Sequence, residues 1–217
     1  DIYQLGSYRA EDGQTYNVFF SDLNEQHIGI EVNAMWQVSR SVNLGGILGV
    51  GDWKYTNDAT SDVYDDQTQD YIRTATTYTK DLKIADQPQT QFGLTGTFKI
   101  GKFIDLGADY IVYANNYAAF TPEKRTDPDD REQSWKIPTY DMLDIRAGFA
   151  FQLGKLDSYF SINCYNVFNQ TNLFAGQLNW GDSNDIKGKI VEAEDGYDHT
   201  EETMKGFFAW GRTFDFS

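Results

Sequence analysis

Cysteine occurs once in 217 residues, histidine twice and proline four times. With Cys164 alone no internal disulfide can form, so a disulfide-stapled secreted scaffold is excluded. Cys164 reads as a small buried apolar side chain. Two histidines and one cysteine make no Cys/His cluster for structural zinc. A glycine-rich phosphate loop and a nucleophile elbow are missing too. No run approaches the roughly 18 apolar residues of a membrane-spanning helix. Basic residues number 18 against 33 acidic ones, a net charge of −15, which argues against nucleic acid as a partner.

Aromatic residues, by contrast, are abundant. They make up 16% of the chain, while the mean hydropathy is only −0.57. That combination is unusual for a soluble sandwich. It suits a transmembrane β-barrel, whose wall is apolar at every second residue and whose loops are polar. The pattern is plainest from Asp144 to Asn169. Ile145, Ala147, Phe149, Phe151 and Leu153 share one parity, and Asp144, Arg146, Gly148, Ala150 and Gln152 the other. Gly154-Lys155 turns the chain, and Leu156, Phe160, Ile162 and Cys164 alternate with Asp157, Ser161 and Asn163. Period-2 alternation marks a sheet that is apolar on one face and wet on the other. Either lipid or a packed protein core can supply the apolar surroundings.

The same rhythm returns elsewhere. Ile28 to Val38 turns at Ser39-Arg40-Ser41 into Val42 to Val50. Phe92 to Ile100 turns at Gly101-Lys102 into Ile104 to Val112. Asp1–Tyr8 is strand-like, Arg9–Gln26 reads as a loop, Tyr71–Leu82 as a protruding strand, and Lys205–Ser217 as a final strand. Between the short turns lie three long polar connections: Asp52–Thr90, Asn115–Pro138 and Phe168–Met204. Strict alternation of short and long connections puts all short turns at one end, as in outer-membrane barrels. About eight wall strands are expected, closing alone or as an arc of a larger ring. The C-terminus is then expected on the periplasmic side. Trp36, Tyr110, Tyr113, Phe208, Trp210, Phe214 and Phe216 are candidates for aromatic girdles.

Six stretches carry a resemblance to a family: His27-Ile-Gly-Ile-Glu31, Gly51-Asp-Trp-Lys-Tyr-Thr-Asn57, Lys80-Asp-Leu-Lys83 with Gln87-Pro-Gln-Thr90, Asp144-Ile-Arg-Ala-Gly148, Asn166-Val-Phe-Asn169 and Gly211-Arg-Thr-Phe214. In their order and spacing they resemble the C-terminal part of TonB-dependent outer-membrane receptors of the Bacteroidetes type. The resemblance implies a transmembrane barrel of about 22 strands, of which residues 1–217 supply the last third. The plug domain, the N-terminal strands and a TonB box are absent from this chain, and no signal peptide precedes it, so a receptor fragment is expected. The implied activity is energised uptake of a nutrient such as a glycan, peptide or siderophore. The implied partners are outer-membrane lipid, the rest of the receptor, TonB through the plug, and a surface lipoprotein. No cofactor is implied.

Candidate site residues divide into two groups. Trp53, Asp109, Asp144, Arg146 and Trp180 are candidates for substrate contact in the lumen or loops, against a structural role in hydrogen bonding a plug or one another. Asp109, Asp144 and Arg146 are expected to form a cross-strand charge network. Asp58, Asp62, Asp65 and Asp66 are candidates for Ca²⁺, weighed against an ordinary solvated acidic loop. Their spacing does not match an EF-hand. Asp198-His199 is an Asp–His dipeptide of the kind an enzyme uses, but it lies among dense acids, and no enzyme is expected. The alternatives to a receptor are a free-standing barrel with a structural or adhesive role and an outer-membrane barrel enzyme.

Overall fold

A computed structural model describes residues 2–9, 14–120, 125–177 and 205–217. These form an all-β, antiparallel structure with no helix among the described residues. In chain order the strands are β1 (Ile2–Arg9), β2 (Thr15–Leu23), β3 (Glu25–Gln37), β4 (Val42–Tyr55), β5 (Ala59–Asp65), β6 (Tyr71–Thr77), β7 (Thr90–Ile100), β8 (Ile104–Ala114), β9 (Asn116–Tyr117), β10 (Lys136–Ile137), β11 (Tyr140–Leu153), β12 (Leu156–Tyr165), β13 (Leu173–Gln177), β14 (Lys205–Phe208) and β15 (Thr213–Phe216). Seven of them make one sheet in the order β15-β12-β11-β8-β7-β4-β3. This is the wall anticipated from the alternation, with one correction: it has seven strands rather than eight, because β1 pairs with β2 outside it. The described strands form an arc, not a closed ring.

The ladder is in register across the whole wall. Gln37, Asn43, Thr97, Gly107, Arg146, Asn163 and Asp215 stand in one row of directly paired residues. The next row is Trp36, Leu44, Gly96, Ala108, Ile145, Cys164 and Phe214. Because side chains alternate faces, the first row lies on one face and the second on the other. The apolar face also holds Val42, Phe98, Leu106, Ala147, Ile162 and Phe216, again paired in sequence. Tyr113, grouped above with the girdle aromatics, pairs with Tyr140 on the polar face instead. Phe208 leaves the wall altogether, since β14 pairs with β13; the expected single last strand is two short ones.

The short turns are as expected. Gly101 and Gly154 both have φ of +64°, the conformation that glycine adopts without steric cost. At the opposite end the wall continues into structure that the sequence reading took for loop. β2 runs straight into β3 and pairs with β5, which follows β4. The β3–β4 ladder thus extends outward as β2–β5, flanked by β1 and β6. Asn57 fastens the joint: it accepts from the Asn24 N–H (3.0 Å) and donates to the Asp22 carbonyl.

Burial separates the two regions. Eleven hydrophobic residues are buried among the described ones, and Cys164 alone of them belongs to the seven-stranded wall. The others lie in β2, β5, β10 and the connections at the loop end. They include one cluster of Val18, Phe20, Leu23, Ala59 and Val63 and another of Ala118 and Ile137. The wall's apolar side chains are open instead, with Ile30 73% and Trp36 66% exposed.

The chain's return from β12 depends on Asn166, which is buried with φ of 50°. Its amide donates to the Gln170 and Trp210 carbonyls at 2.8 and 2.9 Å and accepts from the Gln170 N–H, while its own N–H donates to Asp144. Asn169 accepts from the Arg212 N–H (2.9 Å), and Arg212 Nε donates to the Val167 carbonyl. Two of the sequence motifs, Asn166–Asn169 and Gly211–Phe214, are therefore held against each other. Replacing Asn166 with Ala removes these hydrogen bonds from a buried side chain and is expected to cost about 2 kcal/mol, measured as a lower urea midpoint of the refolded protein. An unchanged midpoint contradicts this role.

Candidate functional site

Three of the lumen candidates come together on the polar face. Asp109 stands between Thr95 and Asp144 in paired register, and accepts from the Thr95 hydroxyl at 2.5 Å. Arg146 folds over Gly107, where a Cβ would overlap its side chain, and its Nη1 lies 3.9 Å from the Asp109 carboxylate. Both side chains are half exposed, so this ion pair is worth little on its own. Asp144 is turned away from the pair and accepts from the Asn166 N–H at 2.8 Å. In place of the expected Asp109–Asp144–Arg146 network, the contacts run Thr95–Asp109–Arg146, and Asp144 serves the turn after β12.

Trp53 sits elsewhere, near the loop end of β4. Its carbonyl accepts from the Ile84 N–H (3.0 Å) and from Gln89 Nε2 (2.9 Å), which ties it to the segment before β7. Its indole is folded back along the strand over Gly51, where a Cβ would overlap the ring. Across the β3–β4 ladder it pairs with His27, whose ring meets it edge-on at 6.2 Å between centroids. His27 Nε2 lies 3.3 Å from Glu25 Oε2. Next along the ladder is the pair Gly29–Gly51, then Glu31–Gly49. Glycine at 29 is required by close approach, because a Cβ there would stand 2.9 Å from the Val50 carbonyl oxygen. The outcome is a recess of about 350 Å³ along the edge strand, lined by His27, Ile28, Gly29, Ile30 and Glu31 of β3 and by Trp53 of β4. Reading the sequence singled out Trp53 but missed His27, whose part depends on strand register rather than on any local pattern.

The four acidic candidates are dispersed. Asp62 accepts from the Thr74 hydroxyl, Asp65 from the N–H groups of Gln67 and Thr68, and Asp66 from Asn17 Nδ2. Among the described residues no group of three His, Cys, Asp or Glu side chains is placed to hold a metal ion. Asp58 instead clamps two loops. Its carboxylate takes both Arg131 guanidinium donors, at 2.8 and 3.1 Å, and the N–H groups of Thr79 and Lys80. Arg131 also lies over the Tyr78 ring at 4.8 Å. Beneath it Arg125, fully buried, donates to the Tyr78 carbonyl (2.9 Å), to Asp130 (3.3 Å) and to the Glu132 carbonyl. These bonds knit residues 78–89 and 125–135 into one ordered cap. Trp180, Asp198 and His199 lie outside the described residues.

Comparison with known proteins places this geometry beside few others. No protein-family model matches the chain, and no curated protein matches it. Among solved structures, it resembles the open form of the ferric-catecholate import receptor Fiu of E. coli K12 at 15% identity and a TM-score of 0.35, over 97% of this chain and 26% of that one. The closed form of the same receptor matches at 16% and 0.37, over 99% and 29%. The chain therefore spans between a quarter and a third of the length of those receptors. Both come from E. coli, and nothing in them supports the Bacteroidetes type suggested by the motifs.

The Asp58 clamp has a defined pH dependence. Burial disfavours its charge, but the Arg131 hydrogen bonds and the Lys80 and Thr79 N–H donors outweigh that, so its carboxyl titrates below its ordinary value. A depressed folded value stabilises the fold above the unfolded carboxylate pKa and is lost as pH falls through the folded one. Limited proteolysis of residues 78–89 and 125–135 is expected to stay slow from neutral pH to about pH 4 and quicken only below it. Asp58→Ala should make cleavage fast at pH 7. Equal protection in the variant contradicts the clamp.

Proposed function

We propose that this chain is the C-terminal part of the wall of a TonB-dependent outer-membrane receptor, a transporter that takes up a nutrient across the outer membrane. One observation carries the membrane reading: the wall has an unbroken apolar face that no described residue covers. A soluble barrel buries that parity inside. Here the buried hydrophobics are gathered in the loop-end structure, and the wall supplies one of them. Strand lengths agree. The strands β3, β4, β7, β8, β11 and β12 have 10 to 14 residues, enough to cross roughly 30 Å of hydrocarbon at a tilt. The short turns fall at one end and the long acidic connections at the other, which on this reading are the periplasmic and extracellular sides.

An open arc cannot stand in lipid, because each unpaired backbone group there costs several kcal/mol. β3 has no partner on its outer edge among the described residues. Ile2 pairs with Leu23, one residue short of the start of β3 beyond Asn24, so a segment preceding β1 is directed along that edge. Further strands of the receptor, about 22 in all, complete the ring on this reading, and a plug domain fills it and meets TonB. The TonB-dependent class, without a narrower type, is supported by the motifs, in particular by Asn166–Asn169 and Gly211–Phe214, which the fold holds together. The polar face, with Thr95, Asp109 and Arg146, lines the lumen, and the ordered cap faces the substrate or a surface lipoprotein.

Two measurements test this. In outer-membrane preparations the parent polypeptide is expected to run far above 24.8 kDa and to migrate faster before boiling than after; a heat-modifiable product of 24.8 kDa would favour the free-standing barrel. Leu94→Arg, in the middle of the apolar face, is expected to destabilise by about 2–4 kcal/mol in bilayers, and Gln91→Arg on the polar face by much less. Equal costs would remove lipid from the account.

A further inference from the structure

We propose that the short-turn rim of the wall binds anionic phospholipid through one cationic side chain at the tip of each turn: Arg40, Lys102 and Lys155. This deepens the proposed function and rests on its reading that lipid bathes the apolar face. The three turns differ in sequence, Ser39-Arg40-Ser41, Gly101-Lys102 and Gly154-Lys155, yet each carries a cation and none carries an acid. All three cationic residues are exposed, and none forms an ion pair among the described residues. Exposed apolar side chains flank them: Val38 near Arg40, Ile100 and Phe103 near Lys102, Leu153 and Leu156 near Lys155. Residues 38–42, 99–105 and 152–157 hold four cations against two carboxylates, whereas the chain as a whole has 18 basic and 33 acidic residues. This end is therefore positive in a strongly negative chain.

The two carboxylates do not cancel the tip charges. Asp105 stands opposite Lys99 on the polar face, and Asp157 accepts from Gln152 Nε2 at 2.7 Å on that same face. Arg40, Lys102 and Lys155 lie where the apolar face ends, level on the membrane reading with the lipid headgroups. A lysine or arginine there can lay its alkyl stem along apolar surface and keep its charge among the headgroups. An anionic leaflet attracts each such cation. The sheet order β3-β4-β7-β8-β11-β12 sets successive turns two strands apart, roughly 10 Å. Each turn therefore meets its own phosphate, and the rim responds to the fraction of anionic lipid in its leaflet rather than to one polyvalent headgroup. Lipid fits better than an acidic protein because the flanking side chains belong to the apolar face itself: Leu153 pairs with Leu156, and Ile100 with Ile104.

The test places an environment-sensitive fluorophore at Leu153→Cys, beside Lys155, or at Phe92→Cys, on the same face near the loop end, in the full-length parent without other cysteines. The protein is reconstituted in phosphatidylcholine vesicles that contain brominated phosphatidylglycerol or brominated phosphatidylcholine. At 153, the brominated phosphatidylglycerol is expected to quench as strongly as brominated phosphatidylcholine at about fivefold its mole fraction. At 92 the two should quench alike. Lys155→Gln should abolish the preference at 153 and leave quenching by brominated phosphatidylcholine unchanged. Salt at about 1 M should abolish it too, because the screening length falls to about 3 Å. Equal quenching by both lipids at 153 in the unaltered rim overturns the proposal and leaves the tips to water or to an acidic partner protein. So does an undiminished preference in Lys155→Gln. Quenching by neither lipid at either position refutes the membrane reading as well, which separates that failure from failure of the rim alone.

Discussion

Everything in this fold follows from one backbone constraint: seven strands paired antiparallel without a slip in register. Side chains alternate with a period of two, so a one-residue slip would exchange the faces of a whole strand. The rows running from Gln37 to Asp215 and from Trp36 to Phe214 show that no such exchange occurs. The register therefore gathers most of the large apolar side chains of the wall onto one surface, while Met35, Ile47, Ile111 and Met142 fall on the other. It also sets Thr95, Asp109 and Arg146 side by side on the other.

That surface must meet something. The protein meets its own need for a dry core elsewhere, in β2, β5 and the cap around Arg125 and Ile137. A chain with two modes of burial, packed at one end and open along the strands, matches two surroundings: water around the acidic loops and hydrocarbon around the wall. The cap is held by charge as well as by packing. Arg125 and Arg131 each satisfy several acceptors from different segments, which lets long connections be ordered without a large core. The recess at Trp53 lies where the wall passes into this cap, at a place where glycines remove side chains and the next segment pins the indole's backbone.

The wall was legible in the sequence because each of its strands reports its own pattern. Phe149 and Phe151 alternate with Gly148 and Ala150, and Gly154 marks the turn, with no knowledge of partners required. The sheet above it was not legible. β2 looks irregular, since Phe19 interrupts the alternation of Val18 and Phe20, and its partner β5 carries Asp62 and Asp65 like a solvated loop. Only the distant pairing of Val18 with Val63 explains both. For the same reason Asp1–Tyr8 was counted with the wall, although β1 follows β2 outward. The candidate site divides similarly. The Asp109–Arg146 contact follows from counting along adjacent strands. The His27–Trp53 pairing and the clamping role of Asp58 depend on segments far apart in sequence. The acids proposed for Ca²⁺ are spread over separate turns and strands by the β5–β6 hairpin.

The central claim, that hydrocarbon bathes the apolar parity, is tested most directly by depth-sensitive quenching. Single cysteines at Phe149, Phe160, Arg146 and Asn163, in a Cys164→Ser background of the full-length protein, carry an environment-sensitive fluorophore in bilayers of brominated lipid. The account predicts strong quenching at 149 and 160, which pair across β11 and β12, and little at 146 and 163, which pair on the opposite face. Equal quenching on both faces, or none at 149 and 160, would contradict it.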